Sequence, residues 1–137
     1  MIFPFNFFAI SPDNRERAEQ RVNNNLSLLN LAMALERVGG DQELLEEVAQ
    51  LFLDDYPNSV AEIEQALATG DPRGVERGAH TLKGAVSNFG ADSVVETALA
   101  LELAGRKGDL TTAPEEFIRL NARLSALHEE LVAICRH

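Results

Sequence analysis

The hydrophobic positions of this 137-residue chain recur mostly with the period of an α-helix. Apolar residues three and four positions apart fill the segments between short separators, and no segment shows the period-two alternation of a half-buried strand. The pattern therefore predicts an all-α protein. The main separators are Gly39-Gly40-Asp41, Gly70-Asp71-Pro72, Phe89-Gly90-Ala91, Gly108-Asp109 and Thr112-Ala113-Pro114.

These separators predict four long helices, each opened or closed by residues typical of helix ends. Because short loops make consecutive helices antiparallel, we expect an up-and-down antiparallel four-helix bundle with a short additional N-terminal helix or helices. The bundle domain is predicted over 26–137, and residues 1–25 form an N-terminal extension. Two shorter helices are predicted first: a polar one after Ser11-Pro12, and one over Leu26–Val38 that lies across one end of the bundle. The four long helices are predicted from Asp41 to about Thr69, from Asp71 to about Asn88, from about Asp92 to Lys107, and from Pro114 to about Cys135. Thr112 is the predicted cap of the last one.

Two of the long helices have apolar stripes that predict which residues face the core. At roughly 100° per residue, one arc of about 80° on the helix after Asp71 holds five apolar side chains. The longer helix before it carries a broader stripe. The arc consists of Val75, Ala79, Leu82, Val86 and Phe89, and the broader stripe of Leu44, Leu45, Val48, Leu51, Phe52, Val60, Ile63 and Leu67.

Composition and charge narrow the class of protein. The formal net charge of −10 disfavours binding to nucleic acid and to an anionic membrane. Cys135 is the single cysteine, so one chain cannot build a disulfide framework or a zinc site from cysteines. The apolar start MIFPFNFFAI lacks a basic region and is too short to span a bilayer. We expect a cytoplasmic protein.

The histidine of the stretch AHTLKG lies away from the predicted core arc. His80 is roughly 140° from the centre of that arc. Its face is basic within an acidic chain, which would attract an anion or an acidic partner, although a solvated helix face can look the same. Neutral imidazole is nucleophilic at physiological pH, and Lys83 can neutralise an arriving phosphoryl group. A group-accepting site is therefore predicted on this face, which also holds Arg73, Arg77, Gly84 and Ser87.

Gly84 is unusual because it lies in the middle of a predicted helix. Glycine costs about 1 kcal/mol relative to alanine at such a position. No turn or cap requires it there, and it follows His80 by one turn on the same side. A missing side chain would open the imidazole to a bulky partner. Gly78 lies nearer the core arc, where it would let a neighbouring helix pack closely.

Other chemistries fit this sequence poorly. His80 and Ser87 are about 10.5 Å apart along a helix axis, which is too far for a serine–histidine pair. No HxxxH or ExxH pattern suggests a metal site, and no Walker-type loop suggests a nucleotide. A single exposed nucleophile suits accepting and donating a group better than turnover of a small substrate.

The segment GDPRGVERGAHTLKGAVSNFGA resembles the signature of histidine-containing phosphotransfer (HPt) domains. In that family an A-H-x-L-K-G core is followed by small residues, an apolar residue and Gly-Ala. The upstream ALERVGGDQELLEEVAQLFLDDYP and the downstream GDL are also similar to family members. The resemblance covers roughly Leu26 to Arg136. It implies a four-helix bundle without kinase activity of its own and without a cofactor, since the Mg²⁺ used in such transfers belongs to the receiver domain.

The resemblance also implies a role for each matching residue. His80 would accept a phosphoryl group at Nε2 from an aspartyl phosphate on the receiver domain of a response regulator or hybrid sensor kinase. It would pass that group to another receiver aspartate. Lys83 would stabilise the phosphoryl group, and Gly84 would give the receiver access. We expect Arg73, Arg77 and Ser87 on the partner-binding face, although Ser87 also suits a helix end.

Glu102 is predicted to lie level with His80 on the following helix. Ala98, one turn earlier, is small enough to allow close approach of the two helices. Family members often place a glutamate or glutamine at the equivalent point, hydrogen-bonded to Nδ1–H. Glu102 would then fix the tautomer that leaves Nε2 free. The alternative is an exposed helix glutamate without such a role.

Two other functions stay open at the level of sequence. A pure interaction module would keep the bundle and bind a receiver or kinase without accepting phosphate. The phospho-accepting domain of a chemotaxis-type kinase would have the same site but needs a catalytic domain. His128 and His137 are not expected to be phosphorylated. The starting Met and the unusual N-terminus lean toward a freestanding protein. We expect a monomer, although the apolar N-terminus could support a dimer.

Overall fold

The computed structural model describes residues 28–136, and within that range it contains five α-helices and no strand. The predicted all-α class is confirmed. The predicted helix after Ser11-Pro12, the extension 1–25 and His137 lie outside the described residues. The helices are α1 (Leu31–Arg37), α2 (Gln42–Thr69), α3 (Pro72–Ser87), α4 (Asp92–Lys107) and α5 (Ala113–Cys135).

The four long helices form a closed bundle. Each of them packs against two others, in the cyclic order α2, α3, α4, α5 and back to α2. The loops between them are only two to five residues long, so consecutive helices run antiparallel. The core arc predicted on α3 is buried throughout. Its members Val75, Ala79, Leu82, Val86 and Phe89 are joined in the core by leucines of α5 such as Leu120, Leu124 and Leu127.

Helix α1 begins later than the sequence pattern predicts. The predicted start at Leu26 is wrong, because the helix starts at Leu31 after an Asn30 cap whose side chain accepts from the Met33 amide. The residues before it are held by the bundle instead. The amides of Leu28 and Leu29 donate to Glu130 on α5, and the Asn30 amide donates to the Phe89 carbonyl. These contacts compete with helical hydrogen bonds and delay the helix start.

The stripe predicted on α2 is too wide. Leu44 and Leu51 were expected in the core, but their exposed fractions are 41% and 66%. They lie seven residues apart on one outward line of the helix, whereas the alanines Ala49 and Ala66 are buried. An apolar period gives the direction of a face but does not show where the neighbouring helices stop covering it.

The other helix ends follow the sequence closely. Asp41 caps α2 by accepting from the Leu44 amide, and Gly39 has the left-handed φ of 69° predicted for the turn before it. Thr112 occupies the predicted N-cap position of α5, but its side chain makes no capping hydrogen bond. Helix α5 starts at Ala113, one residue before the predicted Pro114.

Candidate functional site

His80 projects from the outer face of α3. Ala79 and Leu82, close to it in the chain, are fully or almost fully buried, and they hold the opposite face of the helix against the core. The side chain of His80 is 67% exposed. The ring is therefore held by a helix that packs firmly on the bundle, while much of it is open to solvent or to a partner.

Glu102 of α4 lies beside His80, as predicted, but its carboxylate is almost completely buried. The Oε2 atom of Glu102 is 2.8 Å from His80 Nδ1, and the side chain of Glu102 is only 1% exposed. Helices α3 and α4 approach closely near this point. A Cβ atom on Gly105 would lie 2.6 Å from the Glu76 amide nitrogen and from the Pro72 carbonyl oxygen. Glycine at 105 thus permits the close approach that brings Glu102 to the imidazole.

Two further cations contact the Glu102 carboxylate. Lys83 Nζ is 2.6 Å from Oε1, and Arg106 Nη2 donates a hydrogen bond of 3.0 Å to Oε2. Arg106 also donates from Nε to Glu76 Oε2 at 3.1 Å, which ties α4 to α3. Arg106 was not predicted from the sequence. Its spacing of four residues from Glu102 was the available signal, since an acid and a base four apart lie on one helix face.

The charge state of Glu102 decides which nitrogen of His80 is free. Burial by itself would raise the pKa of Glu102, but contacts with Lys83 and His80 and their charges outweigh it, so the pKa lies below its ordinary value. Glu102 is thus a carboxylate at neutral pH and can only accept hydrogen bonds. Nδ1 of His80 must then carry the proton it shares with Glu102. In the neutral ring, Nε2 keeps its lone pair.

The two glycines that flank His80 on α3 differ in their surroundings. A Cβ atom on Gly78 would lie 2.5 Å from Ile63 Cγ1 of α2, so Gly78 lets these helices pack, as predicted. A Cβ atom on Gly84 would have no atom within 4 Å. Nothing in the described part of the chain requires a glycine at 84, although glycine there costs about 1 kcal/mol of helix stability.

The remaining predicted residues lie on the same side of α3 but form no hydrogen bond or ion pair with His80. Arg73 is exposed, and Arg77 forms an ion pair with Glu62 of α2, with Nε 3.4 Å from Oε1. The Ser87 hydroxyl donates to the Gly84 carbonyl at 2.7 Å, as a polar residue at a helix end commonly does. Ser87 therefore uses its donor within α3.

The described residues contain one other histidine, His128 on α5. Its Nδ1 is 2.9 Å from the Tyr56 hydroxyl, and its ring packs edge-on against that of Tyr56. Across residues 28–136, no cluster of three His, Cys, Asp or Glu side chains could hold a metal ion, and no helix is long and apolar enough to cross a membrane.

The helical bundle matches a known protein family. The Hpt domain family model matches residues 47–130. Histidine-containing phosphotransfer protein B (HptB) from Pseudomonas aeruginosa PAO1 has a similar structure, with a TM-score of 0.72 and 21% sequence identity, covering 77% of this chain and 91% of that chain. The HPT domain from an Hpt sensor hybrid histidine kinase of Shewanella is also similar, with a TM-score of 0.71 and 22% identity, covering 80% and 95%.

At sequence identities of 21% and 22%, the two structures support the fold alone. The search of curated proteins found no match. The family model spans most of α2, all of α3 and α4, and most of α5, and so includes His80, Lys83 and Glu102. Domains of this family carry phosphoryl groups and interact with receiver domains and kinases in phosphorelays. This chain belongs to the Hpt domain family, and its role is phosphotransfer in two-component signalling.

Proposed function

We propose that this protein is a phosphorelay intermediate that accepts a phosphoryl group on His80 from the aspartyl phosphate of one receiver domain and passes it to the aspartate of another. The observation that carries the proposal is the contact between His80 Nδ1 and the buried Glu102 carboxylate, on a ring that is 67% exposed. This contact occupies one ring nitrogen and leaves the other available to a partner.

The transfer step follows from that arrangement. The lone pair of Nε2 attacks the phosphorus atom, and the P–O bond to the receiver aspartate breaks with its electron pair staying on that carboxylate. The ring keeps its Nδ1 proton and gains a positive charge next to Glu102, which stabilises the phosphorylated ring. In the reverse step the phosphoryl group leaves Nε2 for the aspartate of the second receiver.

Lys83 and Gly84 have complementary roles in this proposal. Lys83 is three residues after His80 on α3 and is 28% exposed, so its ammonium group can turn toward an arriving phosphoryl group and stabilise its charge. The empty space around Gly84 supports its role as the point where a receiver approaches. Arg73 and Arg77 add positive charge to the same face, where an acidic receiver surface would dock.

The proposal extends to the organisation of the chain. Residues 26–137 form the phosphotransfer domain and residues 1–25 an extension. The protein acts in the cytoplasm as a monomer that docks response regulators or hybrid kinases transiently. It has no kinase activity of its own, since domains of the Hpt family carry phosphoryl groups that other proteins supply.

The decisive experiment is transfer from a phosphorylated receiver domain. We expect wild-type protein to acquire acid-labile phosphate, and His80→Gln to acquire none, because glutamine offers no nucleophilic ring nitrogen. His128→Gln is the matched control, since His128 contacts Tyr56 and not the proposed site. It should be labelled like the wild type.

A different outcome would point to the alternative function. If the protein bound receivers in a pull-down or by calorimetry but took no phosphoryl group from any receiver of a genome-wide panel, it would be an interaction module without phosphotransfer. Label that persists in His80→Gln would place the acceptor elsewhere.

A further inference from the structure

The two oxygens of Glu102 are divided between different partners. Oε1 contacts Lys83 at 2.6 Å, whereas Oε2 contacts both His80 Nδ1 at 2.8 Å and Arg106 Nη2 at 3.0 Å. Lys83 can therefore leave Oε1 without breaking either contact at Oε2. The arrangement separates a cation that can move from the contacts that hold the histidine.

Movement of Lys83 alone would be unfavourable. Glu102 is 1% exposed, and removing a cation from a buried carboxylate leaves a charge that water cannot reach. Such a carboxylate would hold the lysine in place and compete with the phosphoryl group for it. A second cation on the same carboxylate reduces this competition.

We propose that Arg106 is a positioning residue that keeps Glu102 compensated and in place while Lys83 turns from Glu102 to the phosphoryl group. This inference rests on the proposed function and adds one residue to it. Arg106 is itself fixed from the other side, because its Nε donates to Glu76 of α3 at 3.1 Å. The two carboxylates thus hold the guanidinium between α3 and α4, where a planar group with several donors can bind both at once.

A double-mutant cycle in the full chain tests this role. We expect Arg106→Gln to slow phosphoryl transfer at saturating receiver roughly three- to tenfold, with little change in the receiver concentration that gives half the maximal rate. Because Arg106 acts in part through Lys83, the same substitution should slow transfer by a smaller factor in a Lys83→Gln background. Arg106→Lys should restore part of the rate. Arg119→Gln, which breaks an ion pair with Glu116 on α5, is the matched control and should leave the rate unchanged.

Several outcomes would overturn the inference. They are an unchanged rate in Arg106→Gln, an equal loss in the Lys83→Gln background, and a loss explained by weaker receiver binding alone. Circular dichroism and urea unfolding identify a variant that fails to fold, and Arg106→Lys then provides the test.

A second measurement does not depend on phosphotransfer. Proton exchange of the Lys83 ammonium group with water, followed by ¹⁵N NMR, should slow in Arg106→Gln because Lys83 is then the remaining side-chain cation on Glu102. Equal exchange in the two proteins would contradict the role of Arg106. If the wild-type protein took no phosphoryl group, the proposed function would fail, and this NMR comparison would still decide whether Arg106 weakens the hold on Lys83.

Discussion

Two glutamates are buried in the described part of the chain, Glu64 on α2 and Glu102 on α4, and they behave in opposite ways. Both are at most 2% exposed. Burial raises the pKa of Glu64. Burial acts on Glu102 in the same direction, but Lys83 and His80 outweigh it and the pKa is lowered. Burial alone thus favours the protonated form of Glu64, whereas the partners of Glu102 favour its charged form.

The glycines of α3 show the same contrast between structure and function. Gly78 faces Ile63, the residue directly before Glu64, and its missing side chain serves the packing of α2 on α3. Gly84 follows Lys83, a partner of Glu102, and its missing side chain serves no contact in the described residues. One region is explained by the core of the bundle. The bundle does not explain the other, which supports the proposed docking of a receiver there.

The largest effect predicted for the two buried glutamates comes from removing the whole Glu102 carboxylate. Glu102→Ala should slow phosphoryl transfer roughly tenfold to hundredfold, the loss found when the group that orients a functional histidine is removed. The physical reason is that His80 loses the acceptor that holds its proton on Nδ1. The rate is measured with a phosphorylated receiver, and the tautomer by long-range ¹⁵N–¹H NMR of the ring.

Glu102→Gln separates orientation from charge. Its side-chain oxygen can still accept from Nδ1, so this variant should keep the tautomer and lose less of the rate than Glu102→Ala. If Glu102→Ala changed neither the tautomer ratio nor the rate, Glu102 would be only a buried member of an ion-pair network, and its difference from Glu64 would have no functional meaning.

The sequence predicted much of the site around Glu102 but not all of it. The exposed face of His80 and the level of Glu102 followed from helical period and short loops, because local geometry determines both. The burial of Glu102 and the contact with Arg106 did not, since they depend on how closely α3 and α4 approach at Gly105. The exposed Leu44 and Leu51 were misassigned for a similar reason. Coverage of a helix face is set by its neighbours.

Alanine substitutions at the two glycines should have opposite effects on stability. Gly78→Ala should lower the free energy of unfolding by about 1–3 kcal/mol, because its Cβ would overlap Ile63 Cγ1 and force repacking. Gly84→Ala should raise it by up to about 1 kcal/mol, because alanine favours the helix and meets no atom there. Urea unfolding measures both.

Transfer assays show whether the contrast is functional. Gly84→Ala should slow transfer by weakening receiver docking, whereas Gly78→Ala should reduce transfer only in proportion to its unfolded fraction. A Gly84→Ala protein that was stabilised and fully active would show that the open space at 84 is unrelated to a partner.

The smallest predicted effects concern pH, and they compare the two glutamates directly. Glu64→Gln should stabilise the protein at neutral pH by about 1 kcal/mol, because it removes a charge from a buried position that does not favour one. Glu102→Gln should destabilise it at the same pH, because Lys83, Arg106 and His80 lose their shared carboxylate. Urea unfolding of the two variants and the wild type across the acid range measures both differences.

The two differences should also vanish over separate pH ranges. Glu64 has a raised pKa, so its protonated form is favoured by folding; that contribution is present below the ordinary value of 4.5 and is lost as pH rises through the raised pKa. As pH falls, the difference in the free energy of unfolding between Glu64→Gln and wild type should therefore disappear at a higher pH than the difference for Glu102→Gln. Glu102 has a lowered pKa, so its contribution is present above 4.5 and is lost only as pH falls through the lowered value. If both differences in the free energy of unfolding disappeared over the same pH range, burial of Glu102 and not its partners would control its ionisation.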